Sequence, residues 1–294
     1  MPAMHVKTFE VRHYECDAYG HLNNAVYLRY MQEAGIEAAA SVGFDHSWHR
    51  ATNQTWLPRT TFIEYLQPAT MNDVLEVKTW LGGIRRVIAR RMYEFKLKGE
   101  DDPNAKAYTD WVFLDQGNLR PVTIPPEVIN TFFPDETPAP ALTRGSFPEA
   151  PPPPPGVFRM RKRVEWNDVD PLMHLNNAAY VDYAMECAVQ LTSYYGWPMK
   201  RWIDEGIAFV ARQHHIEYLI PAEMDAEMEI ATWLFDIRPA TVTRQFEFYA
   251  VEGGDLLARI QTLWVMLDLI QRRPVRIPPE IQDILGPNIA QRES

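Results

Sequence analysis

The feature that most constrains this chain is that it is written twice. Shifting the sequence by 153 positions, the difference between His21 and His174, lays "DAYGHLNNAVY" (Asp17 to Tyr27) on "DPLMHLNNAAY" (Asp170 to Tyr180) without a gap. The same shift pairs Tyr30 with Tyr183, Glu33 with Glu186, "EYLQPATM" at Glu64 with "EYLIPAEM" at Glu217, Trp111 with Trp264, and "IPPE" at Ile124 with "IPPE" at Ile277. A period this long is a duplicated domain and not a short solenoid unit. The expected boundaries are 1–133 and 157–294, joined by a Pro-rich segment, 134–156. Its prolines carry no N–H donors and favour extended polyproline II, which reads as a stiff, exposed spacer. Such a tract also fits an SH3 or WW ligand, but joining two copies already accounts for it.

Each copy opens on an alternating run, "VKTFEVRHYE" or "VFRMRKRVEW", which reads as a strand with one buried face. The repeated phrase follows, and then a helix expected to start near Asn24 and to stop by Gly43, with Asn as a favoured cap. Four strand-like segments complete the first copy, "TWLPRTTFIEYL", "VLEVKTWLGGI", "VIARRMYEFKLK" and "KAYTDWVFLD", punctuated by turn signals. A strand, one long helix and four antiparallel strands make an α+β unit whose sheet must bury the helix.

Composition narrows the function classes. The 294 residues are 46% hydrophobic, enough for two cored domains. No run of eighteen apolar residues occurs, and the start lacks a basic segment followed by an apolar one, so the expectation is a cytoplasmic protein without membrane insertion. With 29 Lys+Arg against 39 Asp+Glu the formal charge is −10, which repels nucleic acid. Cys16 and Cys187 are too few for a disulfide framework or a thiolate metal site. Asp, His and Asn supply no third strong metal ligand per copy, and His214 and His215 point to opposite faces of a strand. No metal or cofactor is expected.

The residues "YECDAYGHLNNAVYLRYMQEA" and "NDVDPLMHLNNAAYVDYAMECA", each followed by an "EYL.PA" strand, resemble the hotdog-fold thioesterases of the 4-hydroxybenzoyl-CoA thioesterase-like and acyl-ACP thioesterase-like superfamily. The resemblance covers both copies. It implies two fused hotdog units, each a long central helix wrapped by an antiparallel sheet, packed as an intramolecular pseudo-dimer open to further assembly with copies of itself. It implies hydrolysis of an acyl thioester, on CoA or an acyl carrier protein, without a cofactor. In one branch a strand-end Asp, as in "DVDP" at Asp168 to Pro171, is the catalytic carboxylate. In the plant-type branch a D.D...H..N pattern supplies the catalytic set, and Asp168, Asp170, His174 and Asn177 fit it. That branch's additional Asn is Leu172 here and Tyr19 in the first copy.

Thioester hydrolysis needs a base or nucleophile at the carbonyl carbon and donors for the developing oxyanion. The candidates are Asp17 and Asp170 as base or nucleophile, His21 and His174 as orienting groups, and Asn24 and Asn177 as helix caps or partners of the base. The unpaired N–H groups of the first helical turn, around Asn24-Ala25 and Asn177-Ala178, are the expected oxyanion donors. For CoA phosphates, Arg85, Arg91, Arg238 and Arg244 are the candidate binding residues. Cys16 as a thiol nucleophile is disfavoured because its counterpart is Val169, and Glu33 and Glu186 lie roughly 14 Å along the helix from its start, too far to share the work of the Asp; the resemblance keeps a catalytic Glu as an alternative, since another hotdog branch uses a helix acid. Two rival functions stay open: an acyl-CoA-binding regulatory protein, and a hotdog dehydratase or hydratase, whose Pro before the His is missing here.

Overall fold

The computed structural model describes residues 3–134 and 146–291, and the chain separates into two compact units, Met1–Ser146 and Phe147–Ser294. In the first, β1 (Met4–Glu10) leads through a 3-10 turn (His13–Glu15) into the long helix α1 (Asn24–Ala40). After α2 (His46–Thr52) come β2 (Gln54–Tyr65), β3 (Val74–Arg85), β4 (Ile88–Leu97), β5 (Pro103–Asp115) and α3 (Pro126–Phe132). The strands are antiparallel in the order β1-β3-β4-β5-β2.

The second unit repeats the plan with β6 (Phe158–Arg163), a 3-10 turn (Trp166–Asp168), α4 (Ala179–Tyr194) and α5 (Met199–Asp204). It continues with β7 (Ile207–Tyr218), β8 (Glu227–Phe235), β9 (Thr241–Ala250), β10 (Leu256–Asp268), β11 (Arg273–Pro274) and α6 (Pro279–Leu285). Its order is β6-β8-β9-β10-β7, with β11 paired to β10. Each unit is thus the expected α+β arrangement.

Alternation explains how the sheet takes the helix. Leu75, Val77, Thr79 and Leu81 of β3 are buried while the residues between them are only partly so, the period of a strand with one face in a core. Helix α1 offers Ala25, Val26, Tyr27, Leu28, Met31 and Ala34 in return. Its first turn is pinned by Tyr27, whose ring meets Tyr65 and Phe95 edge-on, each at 5.2 Å. Tyr180 repeats the device against Tyr218 at 5.6 Å and Phe248 at 5.3 Å, and each such pair contributes about 0.5–1.5 kcal/mol beyond area burial. Midway along α1, a Cβ on Gly35 would stand 3.2 Å from the Tyr93 hydroxyl and 3.3 Å from Cδ of Arg91, so a small residue there lets the helix lie close to β4.

The two "IPPE" phrases start short helices: Pro126 and Pro279 occupy first helical positions, where the missing N–H costs nothing. Ile124 and Ile277 before them are buried.

The described part of the Pro-rich spacer is not free of the protein. Residues 135–145 lie outside the described residues, but Pro151 is buried and its carbonyl accepts the indole N–H of Trp233 at 3.1 Å. Ala150 and Val157 pack with Ala231, Trp233 and Phe235 of β8, and the Arg259 guanidinium lies 4.3 Å from the Phe147 ring. The physical reason is the apolar outer row of β8. Prolines cover it well because they bring no N–H donors to be satisfied.

Candidate active site

In each unit the repeated phrase forms a small closed turn immediately before the long helix. Residue 16 bridges to residue 22 in the first copy and Val169 to Leu175 in the second. The Asp17 N–H donates to the His21 carbonyl at 2.8 Å, and that of Asp170 to the His174 carbonyl at 2.9 Å. Oδ1 of Asp17 accepts the amides of Tyr19 at 2.9 Å and His21 at 3.1 Å; Oδ1 of Asp170 accepts that of Leu172 at 2.9 Å. Among the described residues nothing bonds to Oδ2 of either carboxylate. One oxygen therefore fixes the side chain while the other stays available. Burial, with Asp17 as a second cause, pushes the neighbouring Tyr19 hydroxyl up to about 12, so it stays protonated.

The fourth residue of the turn needs a left-handed backbone, supplied by Gly20 at φ +77 in the first copy and by Met173 at φ 62 in the second. His21 and His174 follow, half-buried, and bridge Thr70 and Glu223 of the segment after the "EYL" strand. The Asp and His of each copy are thereby brought into one five-residue turn.

Of the two asparagines, the first and not the second caps α1; in the second copy the first closes the turn just before α4, whose own N-cap position is Ala178. Oδ1 of Asn23 accepts the Ala25 N–H and Oδ1 of Asn176 the Ala178 N–H, both at 2.9 Å. This corrects two expectations. Asn24 and Asn177 do not cap, and Ala25 and Ala178 are not open oxyanion donors, because the first asparagine already occupies them. Among the described residues the backbone N–H groups of Asn24 and Asn177 have no acceptor, so the donor capacity of each helix entry lies there.

The second repeated motif holds the first in place, a role that its bare retention in both copies signalled but did not specify. The hydroxyls of Tyr65 and Tyr218 donate to the carbonyls of Asn24 and Asn177, both at 3.1 Å. Three residues beyond each "EYL", the alanine carbonyls of Ala69 and Ala222 accept Leu22 N–H at 2.8 Å and Leu175 N–H at 2.7 Å. Sequence reasoning also missed a brace behind the turn. Tyr30 donates to Oε2 of Glu15 at 2.7 Å, and Tyr183 to Oδ2 of Asp168 at 2.5 Å. The backbone carbonyls of those two acids accept the N–H of Asn23 and Asn176. Asp168 is thus engaged behind the turn, with Asp170 in front.

The arginine candidates divide. Arg91 and Arg244 are 7% and 4% exposed, so their guanidinium groups are inside the units and not at a pocket mouth; the inward period of β4 and β9 carries them there. Arg85 and Arg238 are exposed. Arg85 ends β3, whose other end at Val74 adjoins the turn, and eleven residues of strand separate the two by roughly 36 Å. Neither pair meets the Asp turn of its own unit. Glu33 and Glu186 are exposed on their helices, Glu186 accepting from Gln190 at 2.9 Å. The Cys16 thiol is pushed up by burial and then by Asp17, Glu15 and Asp73, which opposes a thiolate beside Asp17.

The thioesterase-like superfamily model matches residues 11–132 and again 164–285, most of both units. The chain belongs to that superfamily. Among curated members, an acyl-CoA thioester hydrolase, YbgC, of Escherichia coli is 26% identical over 125 residues, 42% of this chain and 92% of its own length. The thioesterase-like match is thus of one unit to a nearly whole relative. A chloroplastic acyl-acyl carrier protein thioesterase, ATL2, of Arabidopsis thaliana is 33% identical over 130 residues, covering 44% of this chain and 68% of its own. Two solved thioesterase structures share the fold across both units. A putative oleoyl thioesterase from Lactobacillus plantarum has a TM-score of 0.78 at 14% identity, covering 90% of this chain and 97% of that one. The 12:0-ACP thioesterase from Umbellularia californica has a TM-score of 0.71 at 20% identity, covering 90% and 94%. Among the described residues no helix of this thioesterase-like chain is long and apolar enough to cross a membrane.

Proposed function

We propose that this chain hydrolyses acyl thioesters to a free acid and a thiol, with a working Asp in each unit: Asp17 and Asp170. The observation that carries the reading is the repeated pairing of a carboxylate clamped through one oxygen with an open N–H where the chain enters the long helix, at the first residue of α1 and two residues before α4. The unclamped oxygen takes a proton from water, or attacks the thioester carbonyl carbon directly. The N–H of Asn24 or Asn177, at the positive end of the helix, donates to the oxygen on which charge develops. On the first route expulsion of the thiolate, which takes up the proton, completes hydrolysis; on the second it leaves an acyl-aspartyl anhydride, which a water then cleaves to the free acid and the regenerated Asp. The relatives named for acyl-CoA and acyl carrier protein substrates support thioesters as the substrate class, and both carriers are candidates here.

The test is thiol release from a panel of acyl-CoA and acyl carrier protein thioesters by wild type, Asp17→Asn, Asp170→Asn and the double variant. The double variant is expected to lose about 10²–10⁴-fold in turnover. Full turnover by the double variant overturns the assignment of Asp, and acyl-CoA binding by wild type without thiol release makes the chain a binding protein.

A further inference from the structure

The interior of the second unit holds a guanidinium that lies 5.9 Å from the Phe246 ring centre and meets no carboxylate among the described residues. Arg244 projects from β9 on the face that meets the long helix, where its same-side neighbours Val242 and Leu234 pack with Leu191 of α4. Its Nε and Nη1 are buried without a partner. Strand register sets Arg244 opposite Thr262, which makes Trp264 its diagonal neighbour on the same face, and the indole Nε1 of Trp264 is likewise buried without an acceptor.

Among the described residues no acid cancels the charge. Burial pulls the guanidinium down only to about 10, so it remains a cation near neutral pH. The Cys187 thiol beside it is pushed up to about 12 by burial and is neutral. His214, bonded to Thr262 at 2.8 Å, is pushed down to about 3 and is neutral as well. A buried charge left unpaired is strongly destabilising.

The first unit meets the problem only in part: the Trp111 indole N–H and the Tyr93 hydroxyl are buried without a partner there too, but no nitrogen of its arginine is. Arg91 occupies the equivalent position, donates from Nη1 to the Thr79 hydroxyl at 3.4 Å, and has Tyr93 where the second unit has Phe246. In the second unit that hydroxyl is gone and no bond to Thr232 forms. The orphaned atoms Nε and Nη1 of Arg244 and Nε1 of Trp264 are all donors that cannot accept. What would complete them is an acceptor-only group of single negative charge, since a dianion would leave one charge over.

We infer that Arg244 and Trp264 form an internal binding site for a small monoanion, a carboxylate or halide, inside the second unit. The occupant is either a free anion or a carboxylate at the far end of a bound acyl group. Only the second source rests on the proposed hydrolase reading.

The test measures the unfolding midpoint of the full chain against chloride, bromide, formate and acetate, with bulky gluconate holding ionic strength constant. Wild type is expected to gain roughly 5 °C per hundredfold rise in anion above its Kd. Arg244→Met should lose that response and Arg91→Met should keep it. If Arg244→Met does not fold, Arg244→Lys, which keeps the charge but lacks Nε, should show a weakened response. Crystals soaked in bromide should show an anomalous peak within hydrogen-bond reach of Arg244. Equal anion responses in wild type and the Arg244 variants, or bromide-soaked crystals without that peak, would overturn the site. Comparing ω-carboxyacyl with plain acyl thioesters then separates the sources. A preference that Arg244→Met abolishes identifies the acyl carboxylate, and its retention alongside a lost midpoint response identifies the free anion.

Discussion

Tyr183 donates its hydroxyl proton to Asp168 at 2.5 Å, and the bond fastens the turn that carries Asp170 to the second turn of α4. Tyr30 and Glu15 do the same with a longer acid. The acid changes between copies, and so does the group over the ring: Phe9 stacks on Tyr30 at 4.0 Å, while the Lys162 ammonium lies 5.1 Å from the Tyr183 ring centre. Only the hydroxyl-to-carboxylate bond is common to both.

Removing that bond should therefore loosen the Asp turn. Tyr30→Phe with Tyr183→Phe is expected to lower kcat more than it raises KM, whereas exchanging the acids, Glu15→Asp and Asp168→Glu, should largely preserve kcat. Steady-state kinetics on one thioester, with thermal unfolding as the control for global damage, checks this. Equal effects on stability and turnover from both sets would reduce the brace to ordinary packing.

The same tyrosines set an alkaline limit. Burial, then the bonded carboxylate, raises the folded pKa of Tyr30 and Tyr183 well above the unfolded value near 10. The folded state therefore holds protons that the unfolded state releases. Their contribution is complete below about pH 10 and is lost as pH rises through the folded values. Chemical denaturation across that range should show stability falling from about pH 10, with a shallower fall in the double Phe variant.

The two asparagines of each pair should differ in what they contribute to stability. Asn23→Ala is expected to cost about 1 kcal/mol through loss of the cap, and Asn176→Ala about as much through loss of the bond that closes the turn before α4. Asn24→Ala and Asn177→Ala leave those bonds intact and should be nearly neutral in denaturant titrations. If the second pair proves the more destabilising, the assignment of those bonds is wrong.

Backbone strain distinguishes the two turns. Met173 holds a left-handed φ that Gly20 adopts freely, and the penalty of about 1–2 kcal/mol for an L side chain is partly offset by the chain entropy of glycine. Met173→Gly should gain about 0.5–1 kcal/mol and Gly20→Ala should lose about 1 kcal/mol, both readable as shifts in denaturant midpoint.

Duplication made the architecture legible, because two ungapped copies expose which periodicities belong to the unit; β3 was read as 74–84 and ends at Arg85. The long helix was read to Gly43 but stops at Ala40, where Phe44 N–H turns back to the Ala39 carbonyl. Short helices such as α2 were missed, since seven residues hold too little periodicity to distinguish from a loop. Within the site, the Asp–His turn was readable from spacing. The division of labour between Asn23 and Asn24 was not, because adjacent identical residues look alike until one oxygen finds an amide. Arg91 and Arg244 were misread for a related reason: charge argues for the surface, and only strand parity turned them inward.

The docking of Pro151 on Trp233 has a consequence for how this chain could be cut. The stretch that evolution copied, marked by the 153-residue offset, is not the stretch that the second unit needs in order to be covered. A fragment starting at Val157 would carry the whole inherited repeat yet strand the Trp233 indole without its acceptor. One starting at Phe147 keeps the ten residues that close the outer face. Heredity and foldability draw their borders in different places here, and the proline-rich join belongs to its downstream neighbour.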